Sequence, residues 1–187
     1  MTDTNFDYSF MEEEEWAPAH HLASWITNNI VPSYVLDVGS GPGMYCRALQ
    51  NHSPAVKVKA LDPNPDFADN PYVTNISIFD IEEPPAPLVL CLEVAEHIEF
   101  EKSDAIVDKL CDLIAPGGSI IFSAAQPGQP GVGHINCQPK EFWIEKFLAK
   151  PDIIRNYIAE NSMHLHLRMG WRMLWLSNNG MIFSKKG

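Results

Sequence analysis

Basic residues are scarce in this sequence: 13 Lys and Arg stand against 24 Asp and Glu, a formal net charge of −11. Such a field repels polyanions, so nucleic acid is not the expected partner, and a neutral or cationic small molecule suits the chain better. Cysteine is sparse as well, with single residues at 46, 91, 111 and 137 and no Cys-x-x-Cys pair. That excludes the usual zinc and disulfide frameworks and leaves buried free thiols in a reducing compartment as the expectation. No apolar run approaches the roughly 18 residues of a membrane span, and Met1 to Glu12 hold none of the basic residues that open a secretory leader. A cytoplasmic protein without a membrane partner is expected.

What is present is ordinary for a globular chain: 187 residues, 45% hydrophobic and 10% aromatic. A chain of this size buries roughly 70% of its unfolded surface without a staple. We expect a flexible acidic arm over residues 1–14 and one domain over 15–187. From Trp16 to Ile30, Trp16, Ala19, Ala23, Ile26 and Ile30 recur at helical spacing, with Pro18 in the first turn. Strands are predicted at Tyr34–Val38, Val56–Leu61, Val73–Phe79, Leu88–Leu92 and Ser119–Ala125. Helices are predicted at Met44–Asn51, Lys102–Ala115 (stopped by Pro116-Gly117-Gly118), Pro139–Ala149 and Tyr157–Trp171. Three prolines between Pro63 and Tyr72 forbid a long helix there. A short strand or turn near Ile153, and a last strand Met181–Ser184 after Asn178-Asn179-Gly180, complete the reading.

Alternating strands and helices with Gly-rich exits point to an α/β fold. We expect a single Rossmann-like doubly wound sheet, mostly parallel with an antiparallel final strand. Ligands of such sheets sit beyond the carboxyl ends of the strands. The chemistry is therefore expected at residues 37–43, 62, 80, 93–97 and 126–138.

The first exit reads Asp37-Val38-Gly39-Ser40-Gly41-Pro42-Gly43. Alternate glycines let the backbone turn sharply near a ligand, with free N–H groups expected to face it. A dinucleotide fingerprint starting from Gly39 would need a small residue where Met44 stands, and one starting from Gly41 would need Gly where Cys46 stands. A nicotinamide-dependent oxidoreductase is disfavoured on that ground and for want of a second nucleotide-binding half. Asp62, closing the second strand, is placed to meet a ribose diol.

Four segments in order resemble the class I S-adenosylmethionine-dependent methyltransferase superfamily over residues 35–147. They are Val35–Gly43, Ala60–Asp62 with Pro63, Ile78–Ile81, and Leu88–His97 followed by Ala115–Gly118. The resemblance implies an enzyme that binds S-adenosyl-L-methionine and methylates a small-molecule acceptor. It implies that Gly39 and Gly41, in a turn with Ser40 and Gly43, lie against the methionine part, with Asp37 near its amino group. Asp62 with Pro63 would hold the ribose, Asp80 and Ile81 would rim the adenine, and Glu93 would pack beneath the cofactor. A protein that binds the cofactor without catalysis is the alternative.

Methyl transfer to oxygen or nitrogen needs an aligned acceptor and a base. His134, His97 and Glu96 are the candidates, with oxygen favoured by the acid–imidazole set. The run Leu92-Glu93-Val94-Ala95-Glu96-His97 is similar to one in ubiquinone-biosynthesis O-methyltransferases and small-RNA 3′-terminal 2′-O-methyltransferases. That similarity implies a second use, a divalent metal held by Glu93, Glu96, His97 and His134. Without a metal, Glu96 and His97 would cap and charge a helix start. Among Trp16, Phe142, Trp143, Trp171 and Trp175, most are expected in the core, with one or two lining an acceptor pocket.

Overall fold

The computed structural model describes residues 16–169 and 174–187. The arm expected over 1–14, and Trp171 at the end of its predicted helix, lie outside the described residues.

Seven strands form one sheet in the order β3-β2-β1-β4-β5-β7-β6. They are β1 (Tyr34–Val38), β2 (Lys57–Asp62), β3 (Val73–Asn75), β4 (Ala86–Leu92), β5 (Ile114–Ser123), β6 (Ile153–Arg155) and β7 (Met181–Lys185). Only β7 runs against its neighbours; the other pairings are parallel. The helices are α1 (Trp16–Asn29), α2 (Met44–His52), α3 (Ser103–Leu113), α4 (Lys140–Leu148), α5 (Tyr157–Met169) and α6 (Leu174–Asn179).

β4 shows why this sequence makes such a sheet. Leu88, Val89, Leu90 and Cys91 are all fully buried. Successive side chains of a strand point to opposite faces, and here they enter opposite layers. Val89 and Cys91 join Leu36, Phe122 and Phe183 under α3 and α4, through Ile106, Leu110, Trp143 and Phe147. Leu88 and Leu90 join Val35, Ile121 and Ile182 under α1, α2, α5 and α6, through Leu22, Ile26, Leu49, Met163 and Leu176. Each buried aliphatic side chain contributes roughly 1.5–3 kcal/mol, so the register of the central strands is strongly held.

Two predicted elements are corrected and one is added. β3 ends at Asn75 instead of Phe79, because Ser77 starts a tight turn: its hydroxyl accepts from Phe79 N–H and its carbonyl from Asp80 N–H, and Ile78–Asp80 become a 3₁₀ helix. The helix predicted to Ala115 stops at Leu113. Ile114 already pairs with Ala86 while Ser119 pairs with Leu88, so residues 115–118 bulge opposite Pro87. Leu174–Asn179, for which no element was expected, form the short helix α6.

At the far edge, β7 lies between β5 and β6. Arg155 at the end of β6 grips buried Glu160 through two bonds of 3.0 and 2.7 Å, and Glu160 also accepts from Ile182 N–H of β7 at 3.2 Å. No helix of the described residues is long and apolar enough to cross a membrane. All four cysteines are free; Cys46, Cys91 and Cys111 are buried and Cys137 is partly so.

Candidate functional site

β1 delivers Asp37 to its carboxyl end, opposite Ala60 of β2 and Leu90 of β4. The turn that follows carries three left-handed glycines, Gly39, Gly41 and Gly43, at φ of 73°, 55° and 80°. Two of them also make room for the protein itself. A Cβ on Gly39 would lie 2.4 Å from the Val94 side chain, and one on Gly43 3.3 Å from Val73.

The expectation of free N–H groups in this turn is overturned. Gly39 and Ser40 both donate to the Leu61 carbonyl (2.8 and 3.1 Å), Gly43 donates to Ser40, and Gly41 donates to Oδ2 of Asp62 at 2.8 Å. Pro42 has no N–H. The turn therefore presents shape and carboxylates in place of an anion-binding nest.

Those carboxylates are the electrostatic centre of the site. Asp37 is buried, and loss of hydration, reinforced by the negative charge of Asp62, raises its carboxyl to about 7. Asp62 is buried too; desolvation raises it, opposed by the N–H bonds from Asn64 and Gly41. The Cys46 thiol lies 3.9 Å from Asp37 Oδ2 and is pushed well up by burial and that acid. A ligand cation would be favoured here, because it would offset two buried negative groups.

β4 delivers the second half. Glu93 leaves the strand with φ of 55°, a left-handed conformation rare for a side-chain-bearing residue. It is held by N–H donation to the carbonyl and hydroxyl of Ser123 at 3.0 and 3.1 Å. Val94, packed on Gly39, joins this exit to the first one.

Glu96 is fully buried, and its backbone carbonyl accepts from both Ile135 and Asn136 N–H at 2.9 Å. Its Oε1 accepts from Ala125 N–H at 3.0 Å and lies 4.0 Å from His134 Nε2, while Oε2 meets no donor among the described residues. Burial, and secondarily the charge of Glu93, raises the Glu96 carboxyl to about 8.

The His97 and His134 rings meet edge to face at 5.0 Å. Their Nδ1 atoms lie 3.1 Å from the Gly133 carbonyl and 3.3 Å from the Gln129 carbonyl, respectively. A ring nitrogen facing a carbonyl must carry the proton, so in the neutral ring of His134 it is Nε2 that keeps the lone pair. Burial, with the nearby His134, lowers the His97 imidazole. Ligand atoms of Glu96, His97 and His134 all lie within 4.8 Å of one another, a spacing a divalent ion would accept.

The structure thus gathers Asp37, Gly39, Ser40, Gly41, Gly43 and Asp62 at one pair of exits, and Glu93, Glu96, His97 and His134 at the next. Pro63, next in the chain after Asp62, is exposed. Ile81 is buried in the same cluster as Val38 and Leu61, while Asp80 is exposed on its turn. Trp143 is core, Trp16 and Trp175 are partly buried against the core, and Phe142 stacks edge-on to Trp143. Sequence reasoning missed Ser123 and Asn179, and within the expected segment 126–138 it singled out neither Gln126 nor Gln129.

A family model for a methyltransferase domain matches residues 9–176. Among solved structures, the chain is similar to the plantazolicin methyltransferase BpumL in complex with SAH, at TM-score 0.66 and 11% identity, covering 95% of this chain and 88% of that one. It is similar to a SAM-dependent methyltransferase from Archaeoglobus fulgidus (TM-score 0.63, 14% identity, 96% and 100% covered). A third likeness is the Burkholderia thailandensis 1,6-didemethyltoxoflavin-N1-methyltransferase, at TM-score 0.61 and 14% identity, with 96% and 82% covered. At such identities the likeness to these structures is one of fold.

Proposed function

The chain belongs to the methyltransferase-domain family, and from that premise we propose that it methylates a small organic acceptor at oxygen, with S-adenosylmethionine as donor. The donor, when bound, supplies an activated methyl group on a sulfonium. The chain's own residues then have to hold two partners in line and take a proton from the acceptor.

The observation that carries this reading is the pair of buried carboxylates, Asp37 and Asp62, under a turn whose N–H groups are occupied. That chemistry suits a ligand bringing hydroxyls and positive charge, and suits a pyrophosphate poorly. Each Asp62 oxygen accepts one backbone N–H, from Gly41 or Asn64, which leaves a lone pair on each for a ribose hydroxyl. Asp37 is the partner for an ammonium. Gly39, Ser40, Gly41 and Gly43 shape the methionine side, Pro63 stands with Asp62 on the ribose side, Asp80 and Ile81 rim the adenine, and Glu93 forms the floor. On the acceptor side, His134 takes the proton on Nε2. His97 stands beside it, the Gln129 carbonyl orients it through Nδ1, and the buried Glu96 Oε1 lies 4.0 Å from Nε2.

A second reading assigns Glu96, His97 and His134 to a divalent ion beside the acceptor, on the closeness of their ligand atoms. Retained turnover after dialysis against EDTA rejects it.

Calorimetry with S-adenosylhomocysteine tests the main reading. Micromolar binding, abolished by Gly41→Leu, is the expected result, and no affinity in the unaltered protein sinks it. Incubation of a cell extract with methyl-labelled donor should then move label into a small molecule; label that never leaves the donor makes this a binding protein.

A further inference from the structure

Asn179 belongs to none of the motifs that define the site, yet it is fully buried and its carboxamide is saturated by partners at the strand exits. Nδ2 donates to Glu93, at 3.3 Å to Oε1 and 3.5 Å to Oε2, and to Gln129 Oε1 at 3.0 Å. Oδ1 accepts from Gln126 Nε2 at 2.9 Å. Two donors meet acceptors and the acceptor meets a donor, so the amide can sit only this way round. A buried amide is costly unless paired, and every partner here belongs to the β4 exit or to the loop after β5.

The support behind Asn179 is fixed as well. Gly180 N–H closes α6 on the Leu176 carbonyl at 2.7 Å, and a Cβ on Gly180 would lie 2.5 Å from that same oxygen. Lys140 Nζ bonds the carbonyls of Asn178 and Gly180 at 3.1 and 3.0 Å, and His164 Nε2 bonds the latter at 2.9 Å. The end of α6 is therefore held from α4 and α5, and the amide it carries is preorganised.

We propose that Asn179 is a positioning residue for the acceptor side, its buried carboxamide tying Glu93 to the loop that holds His134. The linkage runs from Asn179 to the Gln129 side chain, and from the Gln129 carbonyl to His134 Nδ1 at 3.3 Å. Removing the amide frees Glu93 from its partner and lets residues 126–134 adopt other arrangements. The role assigned to His134 rests on the proposed methyl transfer, but the linkage itself does not.

The test is the imidazole proton spectrum of the full chain, assigned residue by residue, in Asn179→Ala and Gln129→Ala. His97 and His134 signals should shift and broaden in both variants. Signals of His20 and His52, which pair with each other at 3.1 Å on α1 and α2, should stay in place. Unchanged His97 and His134 signals overturn the proposal, as does an equal shift of His20 and His52. Should Asn179→Ala fail to fold, Gln129→Ala decides alone, since it removes only a partly buried loop side chain. Absence of S-adenosylhomocysteine binding by the unaltered protein would remove the methyl-transfer reading instead, because these spectra report the histidines directly.

Discussion

The amide N–H of Gly41 donates to Oδ2 of Asp62 at 2.8 Å, fastening the turn after β1 to the end of β2. The other oxygen of Asp62 holds Asn64 N–H at 2.9 Å. Asp62→Ala leaves both part-buried donors without this acceptor, and the penalty for a fully buried stranded donor, about 1–3 kcal/mol, is an upper bound for each. Urea denaturation should show a loss within that bound, with Asp62→Asn losing less because one oxygen remains. Unchanged stability in Asp62→Ala would show that the turn stands without this bond.

Gly39 and Gly117 share a left-handed backbone, with φ of 73° and 75°, but not their surroundings. A Cβ on Gly117 meets open space, whereas one on Gly39 collides with Val94. Gly117→Ala should cost only the backbone term, about 1–2 kcal/mol. Gly39→Ala should add an overpacking cost of about 1–3 kcal/mol, partly relieved by Val94→Ala in the double variant. Equal losses in the two single variants would mean that Val94 yields freely.

Asp37 gives the unliganded protein a pH dependence of known sign. Its carboxyl, raised to about 7 by burial and by Asp62, ionises near its ordinary value once the chain unfolds. Between those values the native state holds the extra proton, so stability falls as pH rises from about 4 to about 7, by at most about 1.4 kcal/mol per pH unit. Asp37→Asn should flatten that slope and make the protein more stable at pH 8. It should also weaken S-adenosylhomocysteine binding if the carboxylate meets the ligand's ammonium. Denaturation at several pH values, with calorimetry, separates the two effects; a slope unaltered by Asp37→Asn would assign it to other groups.

His134→Ala should leave S-adenosylhomocysteine affinity within a few-fold while methyl transfer to the acceptor falls by about 10²–10⁴, the usual contribution of a positioned base. Undiminished turnover would make His134 a structural residue of its loop.

The central strands and the site's first half were legible because both faces of β1 and β4 are covered, which writes them as unbroken apolar runs ending at an acid. Where local chemistry competed with that pattern, sequence reasoning failed. Ser77 turned the end of a β-rich run into a 3₁₀ helix, and Ile114 left its helix to pair with Ala86. The glycines of the turn were found, but the partners of its N–H groups were not, because Leu61 and Asp62 come from a neighbouring strand. Asn179 was hidden for a similar reason. In sequence Asn178-Asn179-Gly180 only precedes the last strand, and the packing of α6 is what brings the amide to Glu93, 86 residues away.

β7 is synthesised after β6 yet occupies the place between β6 and β5. While the ribosome still holds residues 181–185, the β5 backbone has no partner on that side and β6 has no strand to pair with. Assembly of this sheet must therefore conclude after translation passes β7, and a nascent or truncated chain lacking that strand exposes a raw, apolar β5 edge of the kind that chaperones shield and aggregates recruit.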